Sequence, residues 1–213
     1  MKNTLIIGAS GQIGKQFTKL MLNDGQKVSA LVRDKSKLSD INNKNLHIIE
    51  TDLTNDFSHA FKHCSDVVFV AGSGGSTGAE KTLLIDLGSA CRAVDYAKAS
   101  DVNHFVMVSS IGADTPIEGP EEMQPYLVAK HMADEHLIRS KLHYSVIRPG
   151  ALTDDDAIGK FTHQRPCNDG DAKITRADVA NALLYCVKNE AKKNIIIELF
   201  NGSEELADVF DQK

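Results

Sequence analysis

Short apolar runs alternate with longer amphipathic stretches along the first 150 residues of the chain. An apolar run of about four to eight residues between turn signals is typical of a buried strand, whereas apolar positions spaced by three and four predict a helix. The runs that predict strands are 4–7, 27–32, 46–50, 66–71, 104–109 and 143–148. Because predicted strands and helices alternate, we expect an α/β fold with helices on both faces of a mostly parallel sheet.

Helical patterns fill the intervals between these runs. The longest lie at residues 77–99 and within 120–142, and a later one at 176–188 is followed by a strand-like run at 194–200. The first of these long stretches predicts one broad apolar face, formed by Leu83, Leu84, Leu87, Ala90, Cys91 and Val94. The regular alternation ends near residue 150. We therefore expect residues 1–213 to form a single domain in which 151–213 contribute a small cap on the substrate side.

A glycine-rich segment separates the first predicted strand from the first predicted helix. It consists of Gly8, Ala9, Ser10, Gly11, Gln12, Ile13 and Gly14. In such a segment the first glycine permits a tight turn, the second lets backbone N–H groups approach a ligand, and the third allows the helix to pack closely on the strand. The positive end of the helix dipole faces the same point. Strand, turn and helix together predict a cradle for the pyrophosphate of a dinucleotide.

The ends of the next strands supply candidates for binding the rest of the dinucleotide. Arg33 is the first residue after the second strand and Asp34 is the next. A guanidinium at this place can clamp a 2′-phosphate, whereas a carboxylate favours a free 2′-hydroxyl. We therefore expect NADP(H) in preference to NAD(H), and a shift of one residue at the strand end would reverse that preference. Candidates at the following two strand ends are Asp52 and Leu53 for the adenine, and Ala71 and Gly72 for the cofactor backbone.

A candidate acid–base group follows the fifth predicted strand. Ser109 and Ser110 end that strand, and Tyr126 and Lys130 lie four residues apart on one face of the next helix. A phenol is a poor base at neutral pH, but an adjacent ammonium favours the phenolate. A serine hydroxyl at the strand end could hold the reacting oxygen, so this set could move a proton while a nicotinamide moves a hydride. Taken alone, the tyrosine–lysine pair would indicate only a contact between two side chains on a helix surface.

The composition indicates which kinds of molecule the protein is expected to bind. The formal net charge of the 213 residues is −5, which argues against a nucleic-acid-binding surface, and no apolar run approaches the roughly 20 residues that span a bilayer. The four cysteines are scattered without paired spacing, as expected of reduced thiols in a cytoplasmic protein with neither a disulfide framework nor a zinc site. We expect a small-molecule substrate. The helices at 77–99 and 120–142 could pair in a homodimer, or their apolar faces could pack on the sheet.

Three further segments accompany the glycine pattern, the serine strand end and the Tyr126–Lys130 pair. They are 105–113 (FVMVSSIGA), 144–150 (YSVIRPG) and 174–180 (ITRADVA). The ordered set resembles the short-chain dehydrogenase/reductase superfamily and, within it, the atypical branch of small NAD(P)-binding proteins that are NmrA-like or similar to NAD-dependent epimerases and dehydratases. The resemblance covers nearly the whole chain.

This resemblance implies a Rossmann-type, doubly wound sheet and assigns roles to the candidate residues. Tyr126 would be the acid/base, and Lys130 would bind both Tyr126 and the nicotinamide ribose. Ser110, in preference to Ser109, would be the third member of the set.

The resemblance also implies that Arg33 meets the 2′-phosphate and that the turn formed by Arg148, Pro149 and Gly150 lies near the nicotinamide. We therefore expect an NADP-dependent oxidoreductase, or an epimerase-like enzyme, that acts on a small carbonyl or hydroxyl compound. Two alternatives stay open. One is a redox sensor that binds NADP(H) without turnover, and the other is a flavin or quinone reductase that needs no proton exchange by Tyr126.

Overall fold

The predicted strands form one central sheet. The computed structural model describes residues 3–74, 77–189 and 194–212. Within them the strands are β1 (Asn3–Ile7), β2 (Lys27–Val32), β3 (Leu46–Glu50), β4 (Asp66–Phe69), β5 (His104–Val108), β6 (Tyr144–Pro149), β7 (Ala151–Thr153), β8 (Phe161–Thr162), β9 (Lys173–Thr175) and β10 (Ile195–Asn201). The central sheet has the order β3-β2-β1-β4-β5-β6-β10-β8, and its neighbours are parallel except β10 and β8.

The order 3-2-1-4-5-6 is that of the Rossmann fold, which confirms the predicted class. The direction in which the chain adds strands reverses between β1 and β4. In sheets of this kind, ligands bind in the crevice beyond the carboxyl ends of the strands at that reversal.

Helices cover both faces of the sheet. They are α1 (Gln12–Asn23), α2 (Ala79–Lys81), α3 (Ala90–Ala99), α4 (Gln124–Arg139), α5 (Arg176–Lys188) and α6 (Leu206–Asp211). Ile6 of β1 packs in a core cluster with α1 and α5, whereas its neighbours Leu5 and Ile7 pack in a second cluster with α3 and α4. Alternate residues of a strand point to opposite faces, so β1 is buried on both. Short 3₁₀ turns lie at Lys35–Leu38, Ser58–Phe61, Pro116–Glu118, Glu121–Met123 and Asp169–Asp171.

The helical segment before β5 differs from the prediction. A π-helical stretch, Thr82–Ser89, joins α2 to α3. Because a π-helix forms i→i+5 hydrogen bonds, its turns are wider and α-helical spacing no longer tells which side faces the sheet. The prediction of one apolar face was therefore wrong at Leu83 and Leu84, which are 56% and 50% exposed. The residues that this stretch buries instead are polar or charged: Thr82, Asp86 and Ser89.

Some strand ends also differ from the predicted bounds. β5 ends at Val108, one residue before the predicted end, and β10 ends at Asn201, one residue after its predicted end. β4 ends at Phe69, before the predicted end at residue 71, and β6 runs through Pro149, which was expected to follow the strand. Proline lacks a backbone N–H, but the carbonyl of Pro149 accepts a hydrogen bond of 3.0 Å from the N–H of Ile111. The proline can therefore occupy the last position of the strand.

Residues after 150 contribute both to the central sheet and to its carboxyl edge. α5 packs against α1, and β10 pairs in parallel with β6 and antiparallel with the short β8. β7 and β9 form a separate two-stranded parallel sheet that begins directly after β6. In the described part of the chain, no helix combines the length and the apolar character needed to cross a membrane.

Candidate functional site

The glycine-rich segment forms a tight turn between β1 and α1. Gly8 has a φ of +92°, a conformation that favours glycine, and a Cβ built on it would lie 2.6 Å from the backbone nitrogen of Ala71. A Cβ on Gly14 would overlap the carbonyl oxygen of Gly8. The turn therefore cannot hold side chains at these two positions without moving the backbone. Ala9 and Ile13 are buried and fix the segment to the core.

The amino end of α1 is suited to bind an anion. Gly11 is its N-cap residue and provides no side chain to satisfy the first N–H groups, which belong to Gln12, Ile13 and Gly14. These N–H groups and the helix dipole create a positive end that faces the crevice between β1 and β4. Backbone can approach a ligand closely here, so the residues present fit the pyrophosphate of a dinucleotide.

The two candidate residues for ribose recognition at the end of β2 have different surroundings. The Asp34 carboxylate accepts hydrogen bonds from the N–H and hydroxyl of Ser36, at 2.9 and 2.6 Å, and caps the 3₁₀ turn that follows. These bonds hold the pKa of Asp34 below its ordinary value. Arg33 is exposed beside it. The Asp34 carboxylate thus has a local capping role, whereas the Arg33 side chain is exposed.

The ends of β3 and β4 line the same edge. Asp52 accepts hydrogen bonds from the N–H and hydroxyl of Thr54, which lower its pKa, and the positive charge of Arg33 lowers it further. Leu53 is half-buried next to it. At β4, Ala71 lies against Gly8, and a Cβ on Gly72 would come within 3.1 Å of the Asp86 carboxylate. The predicted cofactor-binding residues therefore lie along one edge of the sheet.

Lys130 is buried and firmly placed. Its side chain is 5% exposed, and its Nζ donates a hydrogen bond of 3.0 Å to the carbonyl oxygen of Val108 at the end of β5. The same Nζ lies 3.7 Å from Oδ1 of Asp86, whose side chain is 1% exposed. The other oxygen of Asp86 accepts a hydrogen bond from the N–H of Ser73. Burying a charge is costly unless it is paired and hydrogen-bonded, and both members of this pair are.

Tyr126 lies one helical turn before Lys130, as the spacing predicts. The Nζ of Lys130 is 5.7 Å from the centroid of the phenol ring, and Tyr126 is half-buried. The charge of Lys130 is therefore close enough to act on the phenol.

The two serines at the end of β5 have different surroundings. The Ser109 hydroxyl is buried and donates a hydrogen bond of 2.8 Å to Asp134 of α4. The Ser110 hydroxyl is only half-buried and donates to the neighbouring carbonyl of Ile111. Ser109 thus ties the strand to the helix, and Ser110 is the serine that a ligand in the crevice can reach.

A second buried ion pair lies behind Ser109. The same oxygen of Asp134 that accepts from Ser109 also accepts a hydrogen bond of 3.1 Å from Nε of Arg148, whose Nη2 lies 3.1 Å from that oxygen in an ion pair. Burial raises the pKa of Asp134, while Arg148 acts in the opposite direction. Arg148 therefore points into the protein. Pro149 and Gly150 are also buried, and a Cβ on Gly150 would overlap the carbonyl oxygen of Ala172.

Sequence reasoning did not identify Asp86 or Asp134. Asp134 lies on the face of α4 that also buries Leu127 and Leu137, and this break in the apolar pattern was the available signal. Asp86 lies in the π-helical stretch, where α-helical spacing gives no such signal. Their partners, Lys130 and Arg148, are distant in sequence, so spacing alone could not pair them.

The remaining candidates for chemistry are the cysteines and the possible metal ligands. The four cysteines are free, and burial raises the pKa of the Cys186 thiol to about 12. Over the described ranges, no group of three or more His, Cys, Asp or Glu side chains is placed to hold a metal ion.

Comparisons with known proteins agree with this geometry. The family model described as NAD(P)H-binding matches residues 8–190. A Bacillus subtilis protein named an uncharacterized sugar epimerase, YhfK, is 33% identical over 207 residues, which cover 95% of this chain and 96% of the relative. A Bacillus halodurans structure, provisionally described as an NAD-dependent epimerase/dehydratase, is 36% identical, has a TM-score of 0.92 and covers 100% of both chains.

A Veillonella parvula short-chain dehydrogenase/reductase solved in complex with NADP is 18% identical, with a TM-score of 0.75 over 96% of this chain and 97% of that one. At this identity the likeness concerns the fold alone. The family match and the two closer relatives span nearly the whole chain. This chain accordingly belongs to the NAD(P)H-binding family, and it is similar to Rossmann-fold proteins that are named as epimerases or epimerase/dehydratases.

Proposed function

We propose that this protein is an NADP-dependent oxidoreductase, or an epimerase-like enzyme, that acts on a small carbonyl or hydroxyl compound. The observation that carries the proposal is the buried Lys130, held by Val108 and Asp86 one turn from Tyr126. A lysine with no role beyond a contact on a helix surface would be exposed to solvent. Lys130 is instead buried beside a carboxylate, at the edge of the sheet where ligands bind.

The dinucleotide would supply or accept the hydride. The residues of this chain would handle the proton. Tyr126 donates a proton to the substrate oxygen during reduction and removes it during oxidation. The positive charge of Lys130 stabilises the phenolate that forms when the proton leaves, because opposite charge favours the ionised form. Ser110 holds the substrate oxygen by a hydrogen bond.

Asp86 acts on this set through Lys130. The Asp86 carboxylate, 3.7 Å from Nζ, forms an ion pair with the buried lysine, and the hydrogen bond to Val108 fixes the direction of its side chain. Asp86 is therefore a positioning residue in this proposal.

The preference for NADP(H) rests on the contrast between Arg33 and Asp34. The Asp34 carboxylate is engaged by Ser36, whereas the exposed Arg33 can form bidentate, charge-assisted hydrogen bonds to a 2′-phosphate. In Arg33→Gln, the affinity for NADPH should fall at least tenfold and that for NADH should not change, as measured by titration calorimetry. Equal losses for both cofactors would contradict the assignment.

The catalytic assignment is tested by Tyr126→Phe in a screen of aldehydes and ketones with NADPH. General acid–base catalysis contributes about 10²- to 10⁴-fold, so kcat should fall by that factor while the Kd of NADPH stays constant. Tyr144→Phe is the matched control, because Tyr144 begins β6 at the opposite edge of the sheet.

The same variant separates the alternative functions. Turnover of flavins or quinones that survives Tyr126→Phe would indicate hydride transfer without proton exchange by this residue. Tight NADPH binding with no substrate consumed in the screen would favour a redox sensor.

A further inference from the structure

The small β7–β9 sheet places two charged side chains next to each other. Thr153 of β7 pairs with Thr175 of β9 in a parallel register, so the residues that follow them, Asp154 and Arg176, leave the sheet side by side. Nη1 of Arg176 lies 2.8 Å from Oδ1 of Asp154.

This ion pair reaches the glycine-rich segment. The same Oδ1 of Asp154 accepts a hydrogen bond of 3.2 Å from Nε2 of Gln12, the first residue of α1. Asp154 therefore connects the start of α1 to the start of α5. Arg176 thus shares its Asp154 partner with the side chain of Gln12, the first residue of the helix whose N–H groups form the anion cradle, and α1 packs against α5.

Hydrogen bonds hold the chain next to both Arg176 and Asp154. Thr175 caps α5 through its hydroxyl, which accepts from the N–H of Asp178 and donates to the Asp178 carboxylate. That carboxylate also accepts from the N–H groups of Ile158 and Gly159, which anchor the loop that follows Asp154. The Arg176 side chain is 20% exposed. It is thus held in place and still open to a ligand.

A pyrophosphate in the cradle needs cationic partners beyond the helix dipole. Lys15, in the first turns of α1, is directed elsewhere, because its Nζ lies 2.7 Å from Asp40 and donates to the carbonyl oxygen of Lys37. A guanidinium carries five donors in a planar fork, and the ion pair with Asp154 uses Nη1. Arg176 can therefore keep that pair and bind a phosphate oxygen as well.

We propose that Arg176 is a ligand of the cofactor pyrophosphate, a role that rests on the proposed function as a dinucleotide-dependent enzyme. Arg176 then differs from Arg33 in what it recognises. The pyrophosphate is common to NADP(H) and NAD(H), whereas the 2′-phosphate belongs to NADP(H) only. Arg176 supports affinity for both cofactors, and Arg33 supports the choice between them.

The test measures the Kd of NADPH, NADH and adenosine 2′-monophosphate for the wild-type protein and for Arg176→Gln by titration calorimetry. The variant should bind NADPH and NADH at least tenfold more weakly, by the same factor for each. Its affinity for adenosine 2′-monophosphate should be unchanged, because that nucleotide has the 2′-phosphate but no pyrophosphate. Arg165→Gln is the matched control: it removes an arginine from another ion pair, with Glu198, and should change none of the three.

Asp154→Asn distinguishes a ligand from a structural ion pair. This variant removes the partner of Arg176 together with a negative charge beside the cradle, so it should bind NADPH more tightly than the wild type.

Equal weakening by Asp154→Asn and Arg176→Gln would overturn the proposal, as would a loss of adenosine 2′-monophosphate binding in Arg176→Gln. Wild-type protein that binds neither dinucleotide would overturn the proposed function itself. Wild-type binding that Arg176→Gln leaves intact would overturn this assignment alone.

Discussion

At the end of β1 the protein presents backbone to its ligand crevice, whereas at the end of β5 it presents side chains held by buried charge. In the first region, which we call the cofactor region, Gly8 and Gly14 exclude side chains and the first N–H groups of α1 are left available. In the second, the chemistry region, Lys130 is paired with Asp86, and Arg148 is paired with Asp134.

The difference is the one that the proposed function requires of the two regions. An anion can be bound by N–H groups and a helix dipole, which any sequence provides if glycines let the backbone approach. Moving a proton requires particular side chains at fixed positions, and burial with hydrogen-bonded partners supplies that fixation. Substitutions that add atoms should therefore disturb the cofactor region most. Substitutions that remove a charge should disturb the chemistry region most.

The largest effect is expected when one charge of the chemistry region is removed. Lys130→Met leaves the Asp86 carboxylate buried without its cation, which typically costs about 3–5 kcal/mol of folding free energy. Urea denaturation measures this loss. In Lys160→Met, which removes one partner of the exposed ion pair with Glu205, the loss should be below about 1 kcal/mol.

A double variant sharpens the interpretation. Asp86→Asn removes the carboxylate charge and retains an acceptor for the N–H of Ser73. Lys130→Met combined with Asp86→Asn should therefore be more stable than Lys130→Met alone. If the double variant were less stable than the single one, the cost would not arise from an unpaired charge.

The next effect is expected when an atom is added to the cofactor region. Gly14→Ala places a Cβ on the carbonyl oxygen of Gly8, so the backbone of the cradle must shift. Overpacking of this kind costs about 1–3 kcal/mol, and dinucleotide affinity should fall with it. Gly78→Ala is the matched control, because a Cβ there has no neighbour within 4 Å and φ is negative. Equal stability and affinity of the two variants would show that the close approach does not matter.

A third prediction concerns the response of the chemistry region to pH. Burial raises the pKa of Asp134 above its ordinary value of 3.8, so the folded protein holds this proton more tightly than the unfolded chain. The resulting stabilisation is complete below about pH 3.8 and is lost as pH rises through the folded-state value. The free energy of unfolding of wild type relative to Asp134→Asn should therefore fall as pH rises above 4 in urea titrations. A rise over that range would contradict the sign of the shift.

The surface ion pairs of α1, the helix that begins in the cofactor region, should respond with the opposite sign and a smaller effect. Hydrogen bonds from Lys15 and Lys19 lower the pKa of the exposed Asp40 to about 2. The stabilisation is present above 3.8 and is lost as pH falls through about 2. The difference between wild type and Asp40→Asn should shrink over that interval, and in about 1 M salt at neutral pH as well, because exposed charges are screened. A difference that survives high salt would contradict a surface interaction.

The cofactor region and the chemistry region also differ in how much of each could be predicted from the sequence. The cofactor region is local: strand, glycines and helix are consecutive, so their pattern predicted the turn, and the strand order of the sheet agrees. The spacing of Tyr126 and Lys130 was also local and predicted their shared helical face. Asp86 was missed because a π-helical stretch changes which side faces inward.

The remaining contacts join distant parts of the chain. The Asp134–Arg148 pair links α4 to β6, and the Asp154–Arg176 pair depends on the register of β7 and β9. Hydrophobic periodicity carries no information on such pairs, since it reports burial of apolar faces and not which charges meet.

The most direct test of the central claim is thermal unfolding of the wild-type protein with NADPH, NADP, NADH and NAD in parallel. A ligand that binds only the folded state stabilises it by RT ln(1 + [L]/Kd), about 2.7 kcal/mol at a hundredfold excess over Kd, which raises the Tm measurably. We predict a clear rise in Tm with NADPH and NADP and a smaller one with NADH and NAD. An unchanged Tm with all four dinucleotides would contradict the assignment of the glycine-rich turn as a pyrophosphate cradle, and with it the roles proposed for Tyr126 and Lys130.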